Sequence, residues 1–518
     1  MFSILLLKLL GPPCYDEMSH CTITTGNLQP EKNPQKRQLL AREPVRQNKK
    51  STERLRGGAV PDIILASFTV SKNRIKGKHF RKKDLTMMIS DNIQRAHDGT
   101  LHFAGQSVPA LAEQYGTPLY LMDEERIRQN CRLYTGTFRD CFGEKALPLY
   151  ASKAASFRQI YRIAAEEGLG VDTVSVGEIH TALSAGFPAE KIFFHGDGKT
   201  DADIRYAVSH RIGYFIVDNP EELEQLSREA SVQGVVQKIL LRITPGIDPH
   251  TYKAVTTGTI DVKFGVPMET GQAFAFVQEA LELPALKVCG LHCHIGSQVF
   301  DETVFEDSID VMTGFMGQLH GELGFTVEML NIGGGFGVRY VDTDRRVDIQ
   351  ARVRSVAARL RERTEELGIP MPFFLMEPGR SIVADAGMTV YTVSSVKRIP
   401  GYKYYVVVDG GMTDNPRYCL YGAHYTVLHA DRETPFYAVY DLAGRCCESG
   451  DIIQPTIKLP DDTRRGDRIA VCTTGAYNYS MASNYNRLGR PPIVMLNKGS
   501  SYIAVRRETP EDLAALDQ

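Results

Sequence analysis

Eight short apolar segments, each ending in polar or glycine residues, follow one another at regular spacing between residues 146 and 377. A short apolar run that is compatible with β-structure indicates a buried strand. Eight such strands in a stretch of this size predict an α/β fold with a (β/α)₈ barrel of the TIM type. The predicted strands are Ala146–Lys153, Gly170–Ser175, Lys191–His195, Gly213–Asp218, Lys238–Ile243, Val288–His294, Val327–Ile332 and Pro372–Glu377.

Segments with helical periodicity lie between these strands, as the barrel requires. An open doubly wound sheet would also alternate strands with helices. It fits less well, because no dominant glycine fingerprint follows the first strand. The helical segments include Ala154–Ala165, Val176–Ala185, Pro220–Val232, Thr270–Leu281, Val304–Leu323 and Ile349–Leu367.

The ends of the predicted strands carry residues suited to chemistry. In a barrel of parallel strands the active site forms at the carboxyl ends. Lys153 alone would be interpreted as a surface lysine at the start of a loop. Chance does not readily place ionisable or glycine residues at all eight ends, so we expect them to face one site. These residues are Lys153, Asp172, His195, Asp218, Arg242, His294, Gly333-Gly-Gly335 and Glu377.

Strands and turns replace helical periodicity after about residue 385. We therefore expect a β-rich second domain built from residues 89–128 and 386–518, with the barrel over residues 129–385. Its predicted strands are Thr117–Met122, Met388–Lys397, Tyr404–Asp409, Phe436–Tyr440, Asp467–Thr473 and Ile493–Leu496.

Residues 1–86 differ from the rest of the chain in charge. They contain 17 Lys and Arg against 7 Asp and Glu, with little periodicity, which favours a disordered basic extension. A targeting or interaction arm is the alternative, although transit peptides are typically amphipathic and this segment is not clearly so. Met87-Met88 directly precedes the first well-patterned segment, so a start further along the chain is also open.

Composition argues against several classes of protein. A net charge of −2 gives no overall signal for nucleic acid, and no stretch of about 18 apolar residues is present to span a membrane. Ten cysteines without a Cys-x-x-Cys motif indicate reduced thiols in a cytoplasmic protein. We expect no metal site at His292-Cys-His294, because on a strand the cysteine points away from both histidines.

The ends of the seventh and eighth strands suggest an anion site. Gly333-Gly-Gly335 would let backbone amides approach a phosphate, although a plain tight turn is an equal alternative. Glu377-Pro-Gly-Arg380 adds a carboxylate and a guanidinium. A phosphate-bearing ligand with a ring nitrogen, facing a lysine, an acid and a histidine, describes pyridoxal phosphate.

Motifs spread over about residues 90–510 extend this interpretation. They are Tyr150–Ala154, Arg242–Thr251, Lys263–Gly265, His292–Gln298, Asn331–Gly335, Glu377–Val383, Cys447–Asp451 and Gly475–Tyr485. In this order the sequence resembles the fold-type III pyridoxal-phosphate-dependent decarboxylases. Within them it is most similar to the branch that converts meso-2,6-diaminopimelate to L-lysine and CO₂, the last step of lysine biosynthesis. The first 86 residues lie outside the resemblance.

The resemblance implies roles for the residues at the strand ends. Lys153 would carry pyridoxal phosphate covalently, His294 would stack on its ring, and Glu377 would pair with the ring nitrogen. Asp172 and His195 would lie near the lysine and the cofactor. The other cofactor-binding residues would be Ser297, Gly333, Gly334, Gly335, Pro378, Gly379, Arg380 and Tyr477. The contacts to the amino-acid substrate would be Arg380, Arg417, Tyr421, Glu448 and Tyr477.

The resemblance also implies a homodimer with active sites shared across its interface. Cys447 of the partner subunit would donate the proton that replaces CO₂, which gives a catalytic set of Lys153, His294 and Cys447. Two positions depart from the family: Val176 stands where glycine is common, and Asp197 where asparagine is common. These departures put the fine positioning of the cofactor in doubt, and not the chemistry.

Other substrates and one other class of function stay open. The same residues could decarboxylate ornithine, arginine or carboxynorspermidine, but Arg417, Tyr421 and the Ser480–Tyr485 stretch favour diaminopimelate. Cys447-Glu448 argues against an activity like that of alanine racemase. A non-catalytic relative with a regulatory binding role would be expected to lose the lysine, the ring-pairing acid or the cysteine, and all three are present.

Overall fold

The computed structural model describes residues 88–248 and 261–518, so the predicted extension over residues 1–86 lies outside the described residues. The chain enters the barrel through short strands and two helices. These are β1 (Ile93–Arg95), β2 (Leu101–Phe103), β3 (Gln106–Ser107), α1 (Val108–Tyr115), β4 (Leu119–Asp123) and α2 (Glu124–Phe142).

Strands and helices then alternate. They are β5 (Ala146–Ala151), α3 (Arg158–Glu166), β6 (Gly170–Thr173), α4 (Val176–Ser184), β7 (Ile192–Phe194), α5 (Asp201–Ser209), β8 (Tyr214–Val217), α6 (Pro220–Val232), β9 (Gln237–Thr244), β10 (Val266–Pro267), α7 (Gln272–Leu281), β11 (Leu286–His292), α8 (Val304–Leu323), β12 (Met329–Asn331), α9 (Ile349–Leu367), β13 (Phe373–Met376) and α10 (Arg380–Val383).

The rest of the chain is mostly β-structure. Its elements are β14 (Gly387–Ile399), β15 (Lys403–Val408), α11 (Arg417–Tyr421), β16 (Val427–His429), β17 (Tyr437–Ala443), β18 (Ile452–Pro460), β19 (Arg468–Cys472), β20 (Ile493–Asn497), β21 (Ser500–Val505) and α12 (Pro510–Ala514).

Eight parallel strands close into the predicted barrel. Around it they run β5, β6, β7, β8, β9, β11, β12 and β13, and β13 pairs with β5 again. The pairing of β8 with β9 completes the ring, which excludes the open doubly wound sheet. The short β10 pairs with β9 outside this ring. The barrel prediction is confirmed, and each of the eight predicted strands overlaps an observed one.

Apolar side chains fill the amino-terminal part of the barrel interior. Within it the rings of Phe193 and Tyr214 stack with centroids 4.4 Å apart. This layer occupies the barrel interior, and the ionisable strand-end residues lie at the opposite, carboxyl-terminal mouth. The buried members of the layer are Leu149, Phe193, Ile216, Leu240, Cys289, Met329 and Leu375.

The β-rich part combines strands from both sides of the barrel in the sequence. β4, which precedes the barrel, pairs antiparallel with β14 and parallel with β20. The sheet runs in the order β18, β17, β15, β14, β4, β20, β21, and β19 pairs with β14 and β16. The expected β-rich second domain is therefore present, with β16, β18 and β21 in addition to the predicted strands. Among the described helices, none has the length and apolar character to cross a membrane.

Candidate active site

The carboxyl end of β5 places Lys153 in the mouth of the barrel. A 3₁₀ turn, Ser152–Ala154, follows β5, so α3 begins at Arg158 and not at residue 154 as the sequence predicted. Lys153 Nζ lies 3.3 Å from Oδ2 of Asp172, which is buried near the end of β6. Burial lowers the pKa of Lys153, but nearby negative groups, led by the Asp172 carboxylate, raise it above its ordinary value. The amine is therefore held as an ammonium beside a carboxylate.

The turn that carries Lys153 is fixed by the neighbouring Ser152. Ser152 Oγ lies 2.5 Å from the backbone carbonyl oxygen of Asp172 and 2.7 Å from Oε2 of Glu178. The same Glu178 oxygen accepts a 2.8 Å hydrogen bond from the backbone N–H of Val174. Burial raises the pKa of Glu178. Glu178 thus ties the first turn of α4 to the lysine turn, a role that the sequence did not reveal.

Glu377 follows β13 and is the centre of a buried polar cluster. Its Oε1 accepts a 2.7 Å hydrogen bond from Nδ2 of Asn331 and lies 3.0 Å from His195 Nε2 and 3.4 Å from His292 Nε2. Burial raises the pKa of Glu377, but the two histidines outweigh it and hold that pKa well below the ordinary value. Burial lowers the pKa of His292 to about 3. Glu377 is therefore a carboxylate at neutral pH.

His292 and Asn331 were not assigned roles from the sequence. Both are the last residues of their strands, β11 and β12, and these strands pair so that the two residues lie side by side. His195, His292 and Glu377 bring three possible metal ligands within 4.8 Å of one another. Because Asn331 already donates to the carboxylate, we interpret the group as a buried polar cluster around Glu377.

The glycine loop after β12 packs closely on the residues around it. Gly333 and Gly335 have φ angles of 69° and 124°, which side chains rarely adopt. A Cβ on Gly333 would lie 2.5 Å from His294 Nδ1, and one on Gly334 would lie 2.1 Å from the carbonyl oxygen of Glu377. The Gly334 N–H donates a 3.2 Å hydrogen bond to His294 Nδ1. Burial, with Lys153 nearby, lowers the pKa of His294 well below its ordinary value, so the ring is neutral.

Arg380 lies at the same corner and is buried. Its Nη2 donates a 2.9 Å hydrogen bond to Ser297 Oγ, and its Nη1 donates a 2.8 Å hydrogen bond to the Tyr340 hydroxyl. Its Nε is buried and has no hydrogen-bond partner among the described residues. A buried guanidinium with an unused donor is suited to an anion. Tyr340, which orients this guanidinium, was also missed from the sequence.

Pro378 and Gly379 join the acid to the lysine strand. The carbonyl oxygen of Pro378 accepts a 3.1 Å hydrogen bond from the N–H of Ala151. A Cβ on Gly379 would lie 2.9 Å from the Cβ of Ala151. These two residues therefore let the end of β13 approach β5, and they act through the backbone.

Tyr477 connects the barrel mouth to the predicted substrate arginine. Its backbone N–H donates a 2.7 Å hydrogen bond to the carbonyl oxygen of Ala154, and its φ of 64° is uncommon for a side-chain-bearing residue. The guanidinium groups of Arg380 and Arg417 lie 4.7 Å and 5.1 Å from the centre of its ring. Arg417 also lies 5.1 Å from the ring centre of Tyr421. The structure thus brings these four predicted residues together.

Asp414 lies three residues before Arg417 and is fully buried. Burial raises the pKa of Asp414 to about 7, although hydrogen bonds from the Tyr391 hydroxyl and the Gly411 N–H act in the opposite direction. A carboxyl whose pKa is raised in the folded state stabilises the fold at low pH, and this stabilisation is lost as pH rises through the folded pKa. We therefore expect the free energy of unfolding to fall by about 2–3 kcal/mol between pH 5 and pH 8 because of Asp414.

Comparing wild type with Asp414→Asn isolates this contribution, because the other titrating groups are the same in both proteins. Urea unfolding at pH 5 and pH 8 should show a smaller decrease for the variant. An equal decrease in both proteins would contradict the assignment.

Cys447 and Glu448 lie on the exposed loop between β17 and β18. The Cys447 N–H donates a 2.8 Å hydrogen bond to Oδ1 of Asn486. Oε1 of Glu448 lies 3.2 Å from Ser449 Oγ and from the N–H of Gly450. In the part of the chain that the structure describes, no contact joins either residue to Lys153, Asp172 or Glu377. One chain thus brings together the predicted cofactor residues but not these two.

The remaining strand ends form ion pairs beside the cluster. Arg242 Nη1 lies 3.5 Å from Asp218 Oδ1, and the N–H of Gly265 donates a 2.9 Å hydrogen bond to Asp218 Oδ2. Asp197, one of the two departures from the family, pairs with Lys263 Nζ at 3.1 Å. This pair joins the loop after β7 to the segment before β10, where asparagine would supply no charge.

The barrel mouth fits pyridoxal phosphate. Lys153 is suited to the aldehyde, and the buried carboxylate of Glu377 is suited to a protonated ring nitrogen. The buried guanidinium of Arg380, with its unused Nε, is suited to the phosphate. The aldehyde, the ring nitrogen and the phosphate of the cofactor would therefore each have a suitable partner in the barrel mouth.

Comparison with known proteins agrees with this geometry. The family described as pyridoxal-dependent decarboxylase, pyridoxal binding domain, matches residues 125–384. The diaminopimelate decarboxylase of Bacillus subtilis (strain 168) is 41% identical over 432 residues, which are 83% of this chain and 98% of the relative. The chain belongs to the diaminopimelate decarboxylase family. The predicted family and its cofactor, pyridoxal phosphate, are thus confirmed.

Other members of the diaminopimelate decarboxylase family are similar over the same extent. The enzyme of Staphylococcus aureus (strain COL) is 40% identical over 81% of this chain and 98% of its own length. A solved structure of diaminopimelate decarboxylase from M. jannaschii in complex with L-lysine is 34% identical and has a TM-score of 0.77. The match covers 83% of this chain and 99% of that one. The predicted combination of barrel and β-domain is that of the family.

Proposed function

We propose that this chain is a pyridoxal-phosphate-dependent carboxy-lyase that converts meso-2,6-diaminopimelate to L-lysine and CO₂. The observation that carries the proposal is the convergence of Lys153, Asp172, Glu377 and Arg380 in one barrel mouth, within a chain of this family. The solved relative with bound L-lysine supports an amino-acid ligand. Ornithine, arginine and carboxynorspermidine are the alternative substrates.

Lys153 Nζ would hold the aldehyde of the cofactor, and Glu377 would accept the N–H of its ring. Ser297, the glycine loop and Arg380 would hold the phosphate, with His294 against the ring. When bound, pyridoxal phosphate supplies an electron-accepting ring that stabilises the charge left on the substrate as CO₂ departs. Glu377 serves this chemistry because its low pKa keeps it negative, which favours a protonated ring nitrogen.

Lys153 must lose its proton before it can act as a nucleophile. Asp172 Oδ2, at 3.3 Å, would favour the ammonium form whenever the amine is not joined to the cofactor. His195 Nε2 lies 3.6 Å from the other oxygen of Asp172 and 3.0 Å from Oε1 of Glu377, between the two acids. Asp172 would thus stabilise the protonated lysine, with His195 next to it.

The substrate would be recognised at its distal end, where diaminopimelate carries a second amino-acid group. Arg417 is buried, and its Nε has no hydrogen-bond partner among the described residues, so it is suited to a carboxylate. Tyr421 and Tyr477 flank it, and Glu448 is suited to the distal ammonium. Ornithine lacks the distal carboxylate and would leave this buried guanidinium unpaired, which disfavours it.

We further propose a division of work between two domains. The barrel over residues 129–385 would hold the cofactor, and the β-domain over residues 89–128 and 386–518 would supply Arg417, Tyr421, Tyr477, Cys447 and Glu448. The sheet that joins β4 to β14 and β20 supports this division. A cytoplasmic location is proposed as well, since all eight described cysteines are free. Activity recovered outside the cytoplasm on cell fractionation would contradict that location.

The exposed position of Cys447 and Glu448 supports a homodimer in which each subunit completes the site of the other. Co-expression of Lys153→Ala with Cys447→Ala tests this arrangement. Random pairing makes half the dimers mixed, and each mixed dimer has one intact site of two, so about a quarter of wild-type activity should return. Activity no greater than that of the two variants assayed separately would contradict shared sites.

The substrate is tested by incubating the full chain, loaded with pyridoxal phosphate, with meso-diaminopimelate. Lysine and CO₂ should form in equal amounts, with ornithine and arginine as control substrates under the same conditions. Turnover of ornithine without turnover of diaminopimelate would overturn the proposed substrate. No turnover of any of the three would favour a non-catalytic binding protein.

A further inference from the structure

Two side chains hold the loop that carries Cys447, and neither has a part in the proposed chemistry. Asp451 Oδ2 accepts a 2.7 Å hydrogen bond from the N–H of Cys446, and Asn486 Oδ1 accepts a 2.8 Å hydrogen bond from the N–H of Cys447. Oδ1 of Asp451 accepts a 2.6 Å hydrogen bond from the N–H of Met412. Consecutive amides of an exposed loop are thus fixed by two side chains, Asp451 at the end of the loop and Asn486 from a segment distant in sequence.

Asn486 holds this position through an uncommon backbone conformation. Its φ is 54°, inside the 3₁₀ turn Tyr485–Arg487, and Arg487 beside it has a φ of 57°. Asparagine adopts the left-handed region more readily than other side-chain-bearing residues. Strained backbone that persists in a fold is often associated with a functional site. The residue therefore combines a tolerated left-handed backbone with an acceptor for the Cys447 amide.

The segment that ends at Asn486 also contacts the other parts of the site. We call residues 477–486 the bridging segment. It begins at Tyr477, whose N–H is bonded to the lysine turn, and Sδ of Met481 lies 4.0 Å from Nη1 of Arg417. It ends at the Asn486 contact to Cys447. The bridging segment thus connects the turn that carries Lys153, the predicted substrate residue Arg417 and the loop that carries Cys447.

We propose that Asn486 is a positioning residue for Cys447. Its Oδ1 fixes the backbone of Cys447, and Asp451 fixes the preceding amide, so that the exposed thiol is presented in one orientation. The inference rests on the proposed function, in which this thiol gives a proton to the substrate carbon in the partner's site. A proton donor must lie within hydrogen-bond reach of its acceptor, so loss of orientation lowers the rate.

Two substitutions of Asn486 separate the acceptor from the backbone. Asn486→Gly keeps the left-handed backbone and removes the acceptor, and kcat should fall about 10- to 100-fold while KM changes less than about threefold. Asn486→Asp keeps both features and should retain kcat within about threefold. Arg487→Gly, with the same backbone conformation and no contact to Cys447, is the matched control and should behave as wild type. All three should keep the cofactor absorbance at about 420 nm.

A double-mutant cycle decides whether Asn486 acts through the thiol. In a Cys447→Ala background, Asn486→Gly should cause no further loss of kcat, because the group it orients is absent. If Cys447→Ala lowers kcat but Asn486→Gly does not, or if the two effects multiply, the positioning role is overturned while the role of Cys447 stands. If Cys447→Ala leaves kcat unchanged, the proposed proton donor fails, and the inference fails with it.

Discussion

Lys153→Ala is expected to abolish lysine formation, with kcat lowered by on the order of 10⁴-fold or more. The side chain supplies the atom that would bond covalently to the cofactor, and it lies 3.3 Å from the Asp172 carboxylate. Absorbance at about 420 nm, which reports the bond between the amine and the cofactor, should disappear in the same variant. The rate of lysine formation and the visible spectrum are measured on the same protein.

Lys145→Ala is the matched control for this substitution. Lys145 is exposed and immediately precedes β5, so it lies at the opposite end of the strand that leads to Lys153. It should keep both the activity and the absorbance of the wild type. Retention of the 420 nm band and of turnover in Lys153→Ala would show that another residue carries the cofactor.

Glu377→Gln should lower kcat by about 10²- to 10³-fold while KM changes little. Glutamine keeps the shape of the side chain and an oxygen that accepts from Asn331, but it removes the charge. The low pKa of Glu377 means that this charge is present in the wild type at neutral pH. Loss of this charge makes protonation of the ring nitrogen less favourable. The ring then accepts electrons less readily when CO₂ departs.

Glu328→Gln controls for removal of a carboxylate elsewhere on the barrel. Glu328 is exposed, directly precedes β12 and pairs with Lys287 at the surface. It should retain wild-type kcat, because exposed ion pairs contribute little. A kcat for Glu377→Gln within about threefold of wild type would exclude the proposed pairing with the ring.

The strand ends could be predicted from the sequence because each short apolar run ends there in a polar or glycine residue and helical periodicity follows. Each barrel strand is a short apolar run, and closure of the ring places all eight carboxyl ends around one mouth. Lys153, His195 and Glu377 could therefore be assigned to one site before any contact was known. The family motifs then gave each of them a role.

The contacts that orient these residues could not be predicted in the same way. Asn331 and His292 reach Glu377 only because β11, β12 and β13 are adjacent, and Tyr340 reaches Arg380 from a loop 40 residues away. Such partners depend on tertiary register and not on local pattern. The surroundings of Cys447 could not be predicted for a different reason. The site in which this residue is proposed to act lies on a second copy of the chain.

The strands missed by the sequence are mainly at the margins of the β-domain. β18 and β21 are the two ends of the sheet path. β18 contains Pro455 and Pro460, and proline within an apolar run argues against a strand unless it lies at an edge. β21 begins with Ser500 and Ser501, and serine is typical of turns. Edge strands tolerate these residues because one side of their backbone is unpaired.

The most direct test of the account is to locate the covalent attachment of the cofactor. Full-length protein loaded with pyridoxal phosphate is reduced with borohydride, digested, and analysed by mass spectrometry. We expect a pyridoxyl group on the peptide that contains Lys153, and the label should be lost when meso-diaminopimelate is added before reduction, because the substrate amine displaces the lysine. A label on any other lysine, or none at all after loading, would contradict the assignment of this barrel mouth as the active site.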